Sequence, residues 1–182
     1  MNHRIDDVIA LFDGVFSAPY RTCLVSGDDE PLYRPAAHAE DLHRIIFAHG
    51  FFASALHEVS HWCIAGERRR QLEDYGYWYE PDGRDAERQR EFEQVEIAPQ
   101  ALESLFSEAC GRRFHVSVDN LGGPEVDRDA FAARVDARAA RYRETGLPQR
   151  AEAFRATLEA FYRHGLSREA AIDVGRARLA RA

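Results

Sequence analysis

Apolar side chains at Ile5, Val8, Ile9, Phe12, Val15 and Phe16 follow the spacing of one helix face, so the chain is expected to open with an amphipathic helix that ends near Ala18 and Pro19. The run SGDDEP, residues 26–31, is dense in acids and turn formers and reads as a solvated loop. A short strand is expected over 44–48, stopping at His49 and Gly50. From 51 to 65 the pattern becomes a mainly apolar helix with Gly66 as its cap. Its apolar flanks, Phe51, Phe52, Leu56, Trp62 and Ile64, imply that this helix is buried.

Residues 75–79 alternate like an aromatic strand, turned by 80–84. Helical spacing returns from Asp85 to about Cys110, and Pro99 should kink this helix or divide it in two. A second strand is expected over 114–118, closed by the turn formers of 120–124. From about Asp127 two or three helices follow, with breaks at 146–148 and 164–165. Phe131, Val135, Tyr142, Phe154, Leu158 and Phe161 read as their core stripes. The sum is an α+β protein: a mostly helical single domain over 1–182 with a small central sheet, the part from about 26 to 121 holding the chemistry and a helical part running from about 127 to 182.

Composition changes this picture little. The 182 residues are 45% hydrophobic and 11% aromatic, enough for one domain with a proper core. A net charge of −7 gives no overall reason to coat nucleic acid or an anionic membrane, and neither is expected as a partner. Every basic side chain apart from histidine is Arg, which removes lysine-based Schiff-base and phosphate-loop chemistry. Arg68, Arg69 and Arg70 read as a solvated run. Cys23, Cys63 and Cys110 have no paired spacing, and nothing at the amino terminus has the form of a signal peptide. A cytoplasmic protein with reduced thiols is expected.

The chemistry lies in the stretch HEVSHW, residues 57–62. On a helix, residues four apart share a face, so His57 and His61 can turn both rings toward one ion. Two imidazoles and a carboxylate on a buried helix would cost several kcal/mol without partners, which argues for a metal. A third protein ligand is needed. It is sought in the helix after Asp85, where Glu93 and Glu96 share a face. Glu96 is preferred, because it sits between Val95 and Ile97 where the kink should begin, and Glu93 is the reserve. With zinc, Glu58 would be the general base of a hydrolase or HExxH metallopeptidase. With ferrous iron, the same ligands form a facial triad that leaves positions open for dioxygen and substrate.

The surroundings bear on that choice. HGFFASALHEVSHWCIAGERRR, then YGYWYEPDGR and FEQVEIAPQALE, with the earlier SGDDEPLY and the later HVSVDNL, resemble the elongation factor P hydroxylase family in five ordered blocks from about Ser26 to Leu121. The match departs at Glu80, where a small residue or Cys is usual, and at Val118, where Cys is. The resemblance implies a zincin-like helix pair, with His57, His61 and Glu96 holding Fe(2+) and Glu58 beside them. It implies an iron-dependent protein-lysine monooxygenase that uses dioxygen to hydroxylate the β-lysylated lysine of translation elongation factor P. A pocket for so long and doubly cationic a side chain calls for aromatic walls, for which Tyr77, Trp78 and Tyr79 are candidates, and for carboxylates, for which Asp28, Asp29, Glu30 and Asp82 are. The sequence carries no motif for 2-oxoglutarate.

Overall fold

The computed structural model describes residues 2–77, 83–118 and 126–180. Helix α1, Ile5–Tyr20, is the predicted amphipathic helix, and its stripe Val8, Leu11, Phe12, Val15 and Phe16 is fully buried. Arg21, in the left-handed region at φ 48°, turns the chain sharply into β1, Thr22–Ser26. Strands β2, Leu32–Arg34, and β3, His43–Phe47, complete a three-stranded sheet in the order β1-β3-β2. β1 runs parallel to β3 with Leu24 beside Ile45, and β2 runs antiparallel to it with Tyr33 beside Ile45.

Helix α2, Phe52–Ile64, follows the sheet, and α3, Ala86–Ala109, lies against it. Helices α4, Arg128–Thr145, α5, Gln149–Tyr162, and α6, Arg168–Leu179, close the domain. Trp62 of α2 is the centre of the core, with Phe12, Phe16 and Tyr20 of α1 edge-on to it at 5.0–5.4 Å. Phe154 of α5 then packs edge-on to Phe12 at 5.8 Å and to Phe106 of α3 at 5.1 Å, so one aromatic cluster joins four helices. Two glycines permit the close contact of α1 and α5 with α6. A Cβ on Gly14 would lie 2.3 Å from Ile172, and one on Gly175 would lie 2.1 Å from Thr157 Oγ1.

The mostly helical α+β class with one small sheet is what the sequence predicts, and the strand expected over 44–48 is β3, but the other strands are β1 and β2 and not 75–77 or 114–118; residues 78 and 79 of the expected aromatic strand lie outside the described residues. Asp74, Tyr75 and Gly76 take positive φ of 47°, 59° and 73°, so the start of the aromatic run is a tight turn. Tyr75 stacks on Tyr33 at 4.4 Å inside the core, while Tyr77 is 37% exposed under the Arg69 guanidinium. The segment 114–118 joins no sheet among the described residues, and side-chain amides take up its backbone groups where a neighbouring strand would. Gln100 accepts from Ser117 N at 3.0 Å and donates to Ser117 O at 2.6 Å, and Gln89 donates to Val118 O.

Pro99 does not divide α3, which runs unbroken through it. The bond lost is the one to the Val95 carbonyl, at an exposed turn where water can replace it. Gly66 does not cap α2; the helix ends at Ala65 in an extended conformation. Phe51 and Ile64, expected to be buried, are 62% and 39% exposed, because the helix buries one side only. The basic run 68–70 is not simply solvated: Arg70 donates to Ala65 O at 2.7 Å and Arg69 to Tyr75 O. Cys63 and Cys110 are buried and Cys23 half-buried, all three as free thiols. Among the described residues no helix is long and apolar enough to cross a membrane.

Candidate metal centre

α2 reaches the site with its ends fixed. At its start Ser54 Oγ accepts from Ala48 N at 3.0 Å. At its end Arg150, from α5, donates to the carbonyls of Cys63 and Ala65 while its guanidinium lies 4.5 Å over the Trp62 ring. Cations at a helix carboxyl end satisfy its orphan carbonyls and oppose its dipole. With Ala55, Leu56, Val59, Trp62 and Cys63 buried on the core side, His57, Glu58 and His61 are left on the side that meets α3.

α3 begins on Asp85, whose carboxylate accepts from Glu87 N and Arg88 N and caps the helix. Glu96, Gln100 and Glu103 then fall at i, i+4 and i+7, one face, and all three are buried. That face meets the α2 histidines. His61 Nε2 lies 3.0 Å from Glu96 Oε1, His57 Nε2 lies 3.6 Å from Glu96 Oε2, and the two Nε2 atoms are 3.1 Å apart.

These separations are the test of fit for an ion. Two ligand atoms each about 2.1 Å from a metal lie roughly 3.0 Å apart at a right angle and roughly 3.4 Å apart at the tetrahedral angle. Two edges of the triangle match the right angle and the third is longer, so one face of an octahedron is accommodated with little adjustment. The outward nitrogen of His57 is also committed: Nδ1 and Glu103 Oε2 are 2.9 Å apart, which places the ring proton there and turns the Nε2 lone pair to the centre. Gln100 donates to Glu96 Oε2 at 3.1 Å and orients that carboxylate.

The electrostatics call for positive charge at the same point. Burial opposes a charged His57, yet Glu96, Glu103 and Glu58 outweigh it and hold the proton more tightly than an ordinary imidazole would. Burial likewise opposes an ionised Glu96, yet His61 and His57, with hydrogen bonds from His61 and Gln100, keep its carboxyl well below the usual range. A divalent cation in place of the proton would satisfy all three groups.

The centre opens into a cleft of about 430 Å³ lined by Pro31, Ala53, Glu58, Phe92, Glu103 and His115 among others. Glu58 is in the cleft wall, and burial raises its carboxyl pKa, against the lowering effect of His57 and His61. Glu93 is turned away from the centre, ion-paired with Arg134 of α4 and accepting from Gln89. Asp28 and Asp29 stand exposed on the loop before β2, of which Pro31 is the residue that lines the cleft. Tyr77 lines a different cleft, of about 470 Å³, which reaches His61 from the other side. Trp78, Tyr79 and Asp82 lie outside the described residues. Glu103 is the site residue that sequence reasoning missed. Its signal was the stripe 96, 100, 103, polar at helical spacing next to the apolar Leu102, Leu105 and Phe106.

Fold and site together define a zincin-like helix pair able to hold one metal ion between two imidazoles and a carboxylate. The description "Elongation factor P hydroxylase" belongs to a family model that matches residues 11–171. The chain is also 51% identical over 162 residues to the elongation factor P lysine hydroxylase of Haemophilus influenzae, which covers 89% of this chain and 91% of that protein. The chain therefore belongs to the elongation factor P hydroxylase family.

Proposed function

We propose that the chain hydroxylates the β-lysylated lysine of translation elongation factor P in the cytoplasm, using dioxygen and ferrous iron held by His57, His61 and Glu96. The observation that carries the reading is the triangle of two imidazole nitrogens and one carboxylate oxygen at the foot of an open cleft, in a chain of this family. Iron bound there would supply the activation of dioxygen needed to place one oxygen atom on an unactivated carbon.

The protein's own part is positional. Glu103 fixes which nitrogen of His57 faces the centre, and Gln100 fixes the Glu96 carboxylate while tying α3 to the segment 114–118 that forms one side of the cleft. His57 keeps 24% of its side chain exposed, His61 12% and Glu96 4%, so the substrate approaches from the His57 side. Zinc hydrolysis is the competing reading, favoured by Glu58 standing beside the histidine pair at the cleft wall.

The test is intact-protein mass spectrometry of β-lysylated elongation factor P after incubation in air with the ferrous-loaded protein. The substrate should gain one oxygen atom, and should gain none with His57→Ala or without oxygen. An unchanged substrate despite bound iron defeats the proposal, and cleavage of a peptide bond that is lost in Glu58→Gln would put zinc hydrolysis in its place.

A further inference from the structure

The second cleft, of about 470 Å³, lies on the other side of His61, along the seam where the carboxyl end of α2 passes α3. His61 and Ile64 line it from α2, and Val95, Ala98 and Pro99 line it from one face of α3, with Tyr77 beyond them. Its walls differ from the rest of the surface. Seven large apolar side chains stand exposed among the described residues, and three of them gather here: Ile64 at 39%, Val95 at 38% and Tyr77 at 37%. Apolar surface collected at one cleft marks a place where a partner binds.

Two polar groups of the same cleft lack a protein partner. In the proposed centre His61 Nε2 is a ligand atom, which leaves the ring proton on Nδ1, and no described residue accepts it. A histidine that holds a metal almost always gives that proton to an acceptor, as His57 does to Glu103. On α3 the Val95 carbonyl has no helix donor, because Pro99, four residues on, carries no N–H. Val95 and Pro99 both line the cleft, so this acceptor lies in its wall. An acyl chain or an apolar gas would leave both groups unpaired, whereas a peptide segment brings a carbonyl, an N–H and a side chain together. Arg68 and Arg69 stand exposed at the rim against one carboxylate of the lining, Glu67, so an acidic residue on that segment is favoured.

We propose that this cleft docks an extended, acid-bearing segment of the protein substrate, its backbone meeting His61 Nδ1–H and the Val95 carbonyl, and an apolar side chain seated among Ile64, Val95 and Tyr77. That the substrate is elongation factor P rests on the function proposed above. The lysine enters by the cleft on the His57 side, so the substrate holds the helix pair at two places. Docking also supplies the second histidine with the acceptor that the first already has in Glu103.

The test is calorimetry of the iron-loaded protein without oxygen, titrated with elongation factor P with and without its β-lysyl extension. Both forms should bind, because this cleft does not read the extension, and Ile64→Asp and Val95→Asp should each weaken both by at least about tenfold. Pro99→Ala, which returns a helix donor to the Val95 carbonyl, should weaken docking a few-fold. Arg68→Glu should do the same at low salt and less at high salt, and its exposed position carries the test should an aspartate variant fold poorly. Unchanged melting temperature and unchanged iron affinity, measured by competition with a chelator, separate these effects from damage to the fold or the centre. Undiminished binding in these variants, or weakening confined to the β-lysylated form, overturns the docking cleft and leaves the hydroxylase reading intact. If the unmodified protein binds neither form, the docking cleft falls, and the mass of the substrate after incubation in air decides the function by itself.

Discussion

α2 and α3 bring together one candidate ligand set by opposite means. α2 has 13 residues, and its position is set by apolar burial on one side and by Arg150 and Arg70 at its carboxyl end. Its two histidines face one point because the helix repeat puts them there. α3 has 24 residues, and its site-bearing face is a buried polar stripe in which each member has a partner on another element. Gln89 meets Arg84 and Val118, Glu96 meets His61, Gln100 meets Ser117, and Glu103 meets His57. Half of the centre is therefore specified within one helix, and the other half by contacts between elements far apart in the chain.

The sharpest test of that difference is on α3, where two glutamates of one face have different fates. Glu96→Gln should lower affinity for ferrous iron by more than about a hundredfold, since it removes a ligand charge from a buried site, and hydroxylation should fall with it. Glu93→Gln should leave metal binding unchanged, because Glu93 is occupied by Arg134. Equal losses in the two variants, measured by competition with a chelator, would break the comparison.

The same pair shows what was legible in the sequence. HEVSH could be read because its geometry lies inside one helix. Glu93 and Glu96 could not be separated by periodicity, because the deciding contact is Arg134, 41 residues away on α4. Segment 114–118 has a strand's composition, but what its backbone meets is a pair of glutamine side chains, which no β pattern announces. β1 is not legible in the sequence, because the alternation of TCLVS spans only five residues beside a helix end. The aromatic residues of 75–79 suit a strand, while the left-handed backbone at 74–76 depends on Asp74 binding across to Tyr33, a contact that no local pattern carries.

A smaller effect probes the contact that joins the two helices. Glu103 binds no metal in the proposed centre but holds His57 Nδ1, so Glu103→Ala should weaken iron binding by roughly ten- to a hundredfold. Glu103→Gln keeps an acceptor for the same N–H and should recover most of that loss. If Glu103→Ala binds iron as tightly as the unmodified protein, His57 is oriented by α2 alone and the division of labour between the helices fails.

The smallest effect concerns the apolar sides of the two helices, through the thiols buried behind them. Burial raises Cys63 on α2 and Cys110 at the end of α3 from the ordinary 9.0 to about 12 each, despite opposing charge from Arg150 and Arg70 on the first and Arg112 and Arg163 on the second. Between those values the unfolded chain releases protons that the folded protein keeps, so alkali favours unfolding. The thiols leave stability unchanged below about pH 9 and reduce it progressively above, by on the order of 1 kcal/mol per thiol at pH 10. Thermal melts of the metal-free protein should show this decline, and Cys63→Ala or Cys110→Ala should each lessen its slope while lowering stability at neutral pH through the lost packing. A slope that changes for Cys110 and not for Cys63 would mean that water reaches the back of α2. Apolar burial would then not be what fixes α2.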